Sequence, residues 1–223
     1  LCLAFNQRLR ELSAAAFVQA VLVDGLGVKH LEIGDDFRFG CDRSGDFAFL
    51  QQAGAVTGFT VEEAATVELT GSRVSSTRVR EALQAADFVE AEHLLGRPFA
   101  IAGRVVHGQK LGRQLGAPTA NVQLKRHRVP LNGVFLVSME LEGVLQPGVA
   151  NIGVRPSVKA DGFAHLEVHL LDFAGDLYDR RVSVVFHHKL RDEQRFASLE
   201  ALKSAIAADV VAARAYWQAQ LNS

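Results

Sequence analysis

Two cysteines, Cys2 and Cys41, are all the thiol chemistry that this chain carries. They show no zinc-like spacing, and a reduced cytoplasmic setting is the simplest expectation. An excess of basic charge is also missing. Lys and Arg total 24 against 25 Asp and Glu, for a formal net charge of −1. A nucleic-acid binder normally carries a basic footprint. The only basic cluster here is Lys125-Arg126-His127-Arg128, which reads as a solvated loop, so no nucleic-acid partner is expected. No apolar run approaches the roughly 20 residues that a membrane helix needs, so no membrane partner is expected either. A signal-peptide pattern is absent as well. Leu1 to Phe5 reads as a buried strand already under way, which leads to the expectation that the natural chain extends upstream.

What remains is ample core. Of 223 residues, 48% are hydrophobic and 22% charged, enough for one large or two modest domains. In the first half a helix is expected over Ala14 to Asp24, with Ser13 as its N-cap and Gly25 and Gly27 ending it. His30 to Ile33 reads as a strand, Gly45 to Ala53 as a helix, Thr57 to Glu62 as a strand and Thr66 to Leu69 as another. This order is that of an α/β domain with a parallel sheet. In such a sheet ligands sit beyond the carboxyl ends of the strands. The loop Gly34-Asp35-Asp36-Phe37-Arg38-Phe39-Gly40 falls there. Ser75-Ser76-Thr77-Arg78-Val79-Arg80 then opens a helical run to Leu95 that Asp87 divides in two. Hydroxyls and arginines at a helix N-terminus suit an anion, although simple capping by Ser75 or Ser76 explains the same residues.

Gly96-Arg97-Pro98 breaks the pattern and marks the expected boundary between domains 1–95 and 96–223. Beyond it the period is two: Phe99 to Val106, Gly133 to Leu141, Gly148 to Ile152, Ala164 to Leu171 and Arg181 to His187. Short strands between Gly, Pro, Asn and Asp turns imply an antiparallel barrel or sandwich. Ser198 to Gln218 reads as a long helix with Leu199, Leu202, Ile206, Val210 and Ala213 on one face.

Two patterns in this half carry chemistry. Glycines at Gly103, Gly108, Gly112 and Gly116, with Lys110 and Arg113, allow backbone N–H groups to approach phosphate oxygens. A Pro118-Thr119-Ala120-Asn121 turn follows, whose hydroxyl and amide oxygen are hard ligands of the kind Mg²⁺ accepts beside nucleotide phosphates. The same glycines also fit ordinary turns of a β-rich domain. In strand 164–171, Leu166, Val168 and Leu170 point one way while His165, Glu167 and His169 point the other. A carboxylate placed beside bound phosphate can accept a hydroxyl proton; an exposed polar face would look the same in sequence. His165 and His169 lack a third ligand at metal-binding spacing.

Taken in order, Gly103…Gly112-Arg113…Gly116-Ala117-Pro118-Thr119-Ala120-Asn121, Gly133-Val134-Phe135, Asn151-Ile152-Gly153-Val154-Arg155-Pro156-Ser157, Glu167 to Phe173, Gly175 to Tyr178 and Leu190-Arg191-Asp192-Glu193…Phe196 resemble the riboflavin kinase module. The first half resembles the rest of the bacterial bifunctional riboflavin kinase and FMN adenylyltransferase (FAD synthetase). The resemblance implies a partial nucleotidyltransferase α/β domain followed by a six-stranded antiparallel barrel with a C-terminal helix. It implies Glu167 as the base for the ribityl 5′-hydroxyl, Thr119 and Asn121 on Mg²⁺–ATP, the glycine loop on the phosphates and Arg191 on the flavin. It also implies flavin and ATP contacts from Gly34, Asp36, Phe37, Ser75, Ser76, Thr77 and Arg80. Substrates would be riboflavin, FMN and ATP. The chain departs from the pattern at Ala117, where a bulky residue is usual, and at Phe135, where Tyr is frequent. The family's His-x-Gly-His motif occurs nowhere in it. Riboflavin phosphorylation is therefore expected of this chain, and FAD formation of a protein that supplies the motif upstream.

Overall fold

The computed structural model describes residues 2–108, 117–124, 129–154 and 164–221. Packing divides the chain into two compact units, Leu1–Arg73 and Val74–Ser223.

In the first unit a short helix α1 (Gln7–Arg10) is capped by the Asn6 side chain. Helix α2 (Ala14–Phe17) begins at Ser13, whose hydroxyl accepts from the Ala16 N–H, and widens into a π-helical stretch over Val18–Val23. Strand β1 (His30–Ile33) runs parallel to β2 (Thr60–Glu63), with helix α3 (Phe47–Thr57) as the crossover that parallel pairing requires. Ala14, Val18, Leu22, Ile33, Phe39, Leu50 and Phe59 form its core. A tight hairpin, β3 (Glu68–Leu69) with β4 (Ser72–Arg73), completes the unit.

Three expectations move. Cys2 to Phe5 forms no strand and is exposed, Phe5 at 79%; apolar composition there has no neighbour to pair with among the described residues. Helix α3 starts at Phe47 because Gly45 bridges back to Phe39 and Asp46 takes the cap, accepting from the Phe49 N–H. It runs on to Thr57, and the strand begins only after Gly58, whose φ of +84° ends the helix.

The second unit opens with helices α4 (Ser76–Gln84) and α5 (Phe88–Leu95), capped by Ser75 and Asp87 and tied by an Arg78–Glu90 ion pair. A closed barrel follows: β5 (Ala100–Val106), β6 (Ala120–Gln123), β7 (Gly133–Leu141), β8 (Val144–Val154), β9 (Ala164–Leu170) and β10 (Arg181–Arg191), ordered β10-β5-β6-β9-β8-β7. Helix α6 (Leu199–Leu221) packs outside, with Ala213 buried against Val134, Leu136, Val149 and Leu171. Gly96 ends α5 with a positive φ. Packing nevertheless joins α5 to the barrel. The Phe88 ring lies 5.9 Å from Phe135 and 6.2 Å from Phe186, which closes an aromatic cluster.

Strand β6 replaces part of the expected Pro-Thr-Ala-Asn turn: Pro118 and Thr119 lie outside the strand, and Ala120 and Asn121 are within it. Strand β8 is longer than Gly148 to Ile152. Its hairpin with β7 turns at Glu142 and Gly143, both with positive φ, as a two-residue hairpin requires.

Candidate active site

The alternation of β9 decides the site. Leu166, Val168 and Leu170 are buried, while His165, Glu167 and His169 take the other face and are only half-buried. Antiparallel register then sets their neighbours. Asn121 of β6 pairs with Glu167 of β9, Glu167 with Asn151 of β8, and Asn151 with Val134 of β7. Directly opposed residues share a face with Cβ atoms about 4.5–5.5 Å apart. The barrel wall therefore carries one row, Asn121–Glu167–Asn151–Val134.

A cavity of about 360 Å³ lies over this row, beneath α6. Thr119, Asn151 and Glu167 form its polar floor, Val134 and Val149 its apolar wall, and Leu202, Ile206 and Val210 of α6 its roof. A carboxylate on a strand face is thus set into a cavity wall and half-buried. A second cavity of about 310 Å³ opens on the far side of Thr119, between Val105, Pro118, Phe173 and Tyr178. Thr119 lines both cavities, whereas Glu167 faces only the first.

Neighbouring groups hold these residues still. His169 Nδ1 lies 2.9 Å from the Pro118 carbonyl; a carbonyl can only accept, so the imidazole donates and ties β9 to the residue before Thr119. Gly108 presses on Asn121, and a Cβ at Gly108 would overlap the Asn121 amide. Arg191 enters the first cavity after a bulge between Lys189 and Arg191. Its guanidinium is held by Asp209 of α6, with Nε 3.0 Å from Oδ1 and Nη2 2.8 Å from Oδ2, while Nη1 donates to the Asp192 carbonyl at 3.1 Å. The Phe196 ring centroid is 5.6 Å from the same group. A cation so fully engaged forms a rigid edge of the cavity.

The structure thus gathers Thr119, Glu167 and Arg191 at one cavity, with Asn121 in the same row and Gly108 over it. Gly103 lies elsewhere, inside β5, where a Cβ would run into Gln123 and Val122 of β6; strand packing accounts for that glycine. Lys110, Gly112, Arg113 and Gly116 lie outside the described residues, as do Lys125 to Arg128 and Arg155 to Ser157.

The other expected loops belong to different units. In the first unit, the loop of Gly34, Asp36 and Phe37 is pinned by Arg73, whose Nη1 and Nη2 lie 2.9 and 2.7 Å from the Asp35 carboxylate. That guanidinium holds the Asp35 carboxyl below the usual range. Phe37 stacks on Phe39 at 5.5 Å. In the second unit, the Ser75 hydroxyl accepts from the Arg78 N–H, and Ser76, Thr77 and Arg80 are exposed in the first turns of α4.

Asn151 and Asp209 are the site residues that sequence reasoning missed; His169 was placed beside Glu167 but weighed only as a metal ligand, whereas here it ties β9 to Pro118. The signal for Asp209 was present: it interrupts the apolar stripe of α6 between Ile206 and Ala213, at helical spacing from both.

A closed six-stranded antiparallel barrel with a C-terminal helix is the fold of the flavokinase class. The family model for riboflavin kinase (Flavokinase) matches residues 95–217, and that for FAD synthetase matches residues 1–78. The bifunctional riboflavin kinase/FMN adenylyltransferase of Pseudomonas fluorescens is 77% identical over 215 residues, covering 96% of this chain and 69% of that protein. The enzyme of the same name from Escherichia coli K12 is 51% identical over 220 residues, covering 97% of this chain and 69% of its own length. Among solved structures, one described as a macrolide-efflux protein from Streptococcus pneumoniae aligns over 94% of this chain and 67% of its own, with a TM-score of 0.65 and 32% identity. The chain belongs to the bifunctional riboflavin kinase/FMN adenylyltransferase family, whose enzymes make flavin cofactors.

Proposed function

We propose that this chain transfers the γ-phosphoryl group of ATP to the ribityl 5′-hydroxyl of riboflavin, giving FMN and ADP. One observation carries the assignment: two cavities meet at Thr119, and the carboxylate of Glu167 faces the larger one. A transfer between two bound substrates needs such a shared wall. The apolar cavity under α6 suits the flavin ring, and the cavity beyond Thr119 suits the nucleotide.

In this reading Glu167 takes the proton of the 5′-hydroxyl as its oxygen attacks phosphorus. The new O–P bond forms while the bond to the β-phosphate oxygen breaks, and ADP leaves. Positioning and charge neutralisation provide most of the rate. Arg191, fixed by Asp209, borders the flavin, and α6 excludes water.

Thr119 and Asn121 fit a Mg²⁺ ion bound with ATP. They offer a hydroxyl and an amide on either side of the β6 start, and Gly108 fixes the amide. No group of three His, Cys, Asp or Glu side chains among the described residues would hold a metal by itself. That suits an ion which takes its remaining ligands from phosphates and water. When bound, it neutralises phosphate charge.

Adenylylation of FMN to FAD is the family's second activity. We assign Gly34, Asp36 and Phe37 of the first unit and Ser75, Ser76, Thr77 and Arg80 of the second to its flavin and ATP contacts. The 223 residues contain no His-x-Gly-His motif, so we assign this chain the kinase step alone. Two exposed cysteines, Cys2 and Cys41, support a reducing, cytoplasmic setting. No helix among the described residues is long and apolar enough to cross a membrane.

The test is to incubate the chain with riboflavin, ATP and Mg²⁺ and to separate the flavins. FMN without FAD is the expected product. Quenching of flavin fluorescence with no FMN would make the chain a binding module and overturn the assignment.

A further inference from the structure

Asn151 has an amide oxygen that is buried and has no hydrogen-bond partner among the described residues. Buried acceptors are nearly always paired, and one left open inside a cavity asks for a donor from the ligand. Asn151 lines the first cavity together with Glu167 and Thr119. Its place in the row adds direction. From Asn121 through Glu167 and Asn151 to Val134, the wall passes from amide to carboxylate to orphan acceptor to apolar surface. A riboflavin molecule undergoing phosphorylation has the same order: phosphate, 5′-hydroxyl, ribityl chain, isoalloxazine ring.

We infer that Asn151 seats the ribityl chain, its amide oxygen accepting a hydrogen bond from the hydroxyl next to the one that is phosphorylated. The inference rests on the kinase reading above. Glu167 and Asn151 are direct cross-strand partners, so a vicinal pair of hydroxyls can address both at once: one gives its proton to the carboxylate and the other donates to the amide. Asn151 is thus a positioning residue. It fixes the 5′-oxygen over Glu167 by holding its neighbour, and it selects for a polyol chain over an alkyl one.

The test pairs Asn151→Ala with a riboflavin analogue that lacks the 4′-hydroxyl, in the full chain with Mg²⁺–ATP. Each change alone should lower kcat/KM about tenfold or more. Together they should cost little beyond either one, because the same hydrogen bond is lost in both. Independent, multiplying losses would overturn the inference. An equal loss from Asn151→Ala with riboflavin and with the analogue would overturn it in the same way. Lumiflavin, which has no ribityl chain, separates a folding defect from a lost contact. Its dissociation constant, read by fluorescence quenching, should be the same for wild type and variant, while that of riboflavin rises. A riboflavin dissociation constant that does not rise while lumiflavin binding holds would overturn the inference. If the wild-type chain makes no FMN at all, the kinase reading fails, and the riboflavin-to-lumiflavin comparison still decides whether Asn151 contacts the chain.

Discussion

Gly108→Ala is the smallest change that should disable the nucleotide side of the site while sparing the fold. The atoms a new Cβ would meet are those of the Asn121 side-chain amide, not backbone. Overpacking a rigid site costs about 1–3 kcal/mol. Here the amide can swing aside, so the fold should lose about 1 kcal/mol or less, a shift of roughly 2–4 °C in Tm for a chain of this size. The displaced group is the one proposed to face the metal and phosphates. Interactions with charged partners are worth about 1.5–3 kcal/mol, and each 1.36 kcal/mol is tenfold in rate, so kcat/KM for ATP should fall by about 10- to 150-fold. Steady-state FMN formation, with ATP and then Mg²⁺ varied, measures this, and the Mg²⁺ requirement should rise in step. Asn121 does not line the flavin cavity, so riboflavin should bind as in the wild type. Normal ATP kinetics in the variant, or an equal loss of riboflavin binding, would refute the placement of Asn121.

Other consequences are simpler to read. Asp209→Ala leaves the Arg191 guanidinium without its carboxylate; Arg191 keeps a quarter of its side chain in water, so the cost should sit at the low end for broken buried pairs, about 3 kcal/mol in denaturant titration. Phe88→Ala removes the ring that joins α5 to Phe135 and Phe186 and should cost about 3–5 kcal/mol in the stability of the barrel. Burial holds the His187 imidazole below its ordinary value of 6.5, against a smaller upward pull from Glu92. The unfolded chain therefore binds this proton first as pH falls. The stability contributed by neutral His187 is complete above pH 6.5 and declines as pH drops below it. A Tm-versus-pH series should show that decline in the wild type and a flatter curve in His187→Gln.

Local pattern made much of this legible, because the relevant periods are local. Alternation placed Glu167 on the opposite face from Leu166 and Val168, Ser13 and Ser75 stand where helix caps were expected, and Asp87 divides the helical run as expected, capping its second half. The misses are long-range. Strand β6 is only four residues long and follows a proline, so it looks like a turn until β5 and β9 pair with it. Gly96 is a true helix end, but nothing local announces that Phe88 packs α5 onto Phe135 and Phe186, residues far along the chain. Asn151 is invisible as a site residue without the register that sets it beside Glu167. Glu167 and His169 were equally consistent with a wet surface; Arg191, Phe196 and α6, all far later in sequence, make that face a cavity.

Glu167→Gln asks whether this carboxylate takes the proton of the 5′-hydroxyl. The substitution keeps size and hydrogen-bonding capacity but cannot take a proton at neutral pH. General-base catalysis contributes about 10²–10⁴ in rate, so single-turnover FMN formation with saturating riboflavin and Mg²⁺–ATP should slow by that factor, while the riboflavin dissociation constant stays near the wild-type value. FMN formation by Glu167→Gln at the wild-type rate would show that Glu167 is not the base.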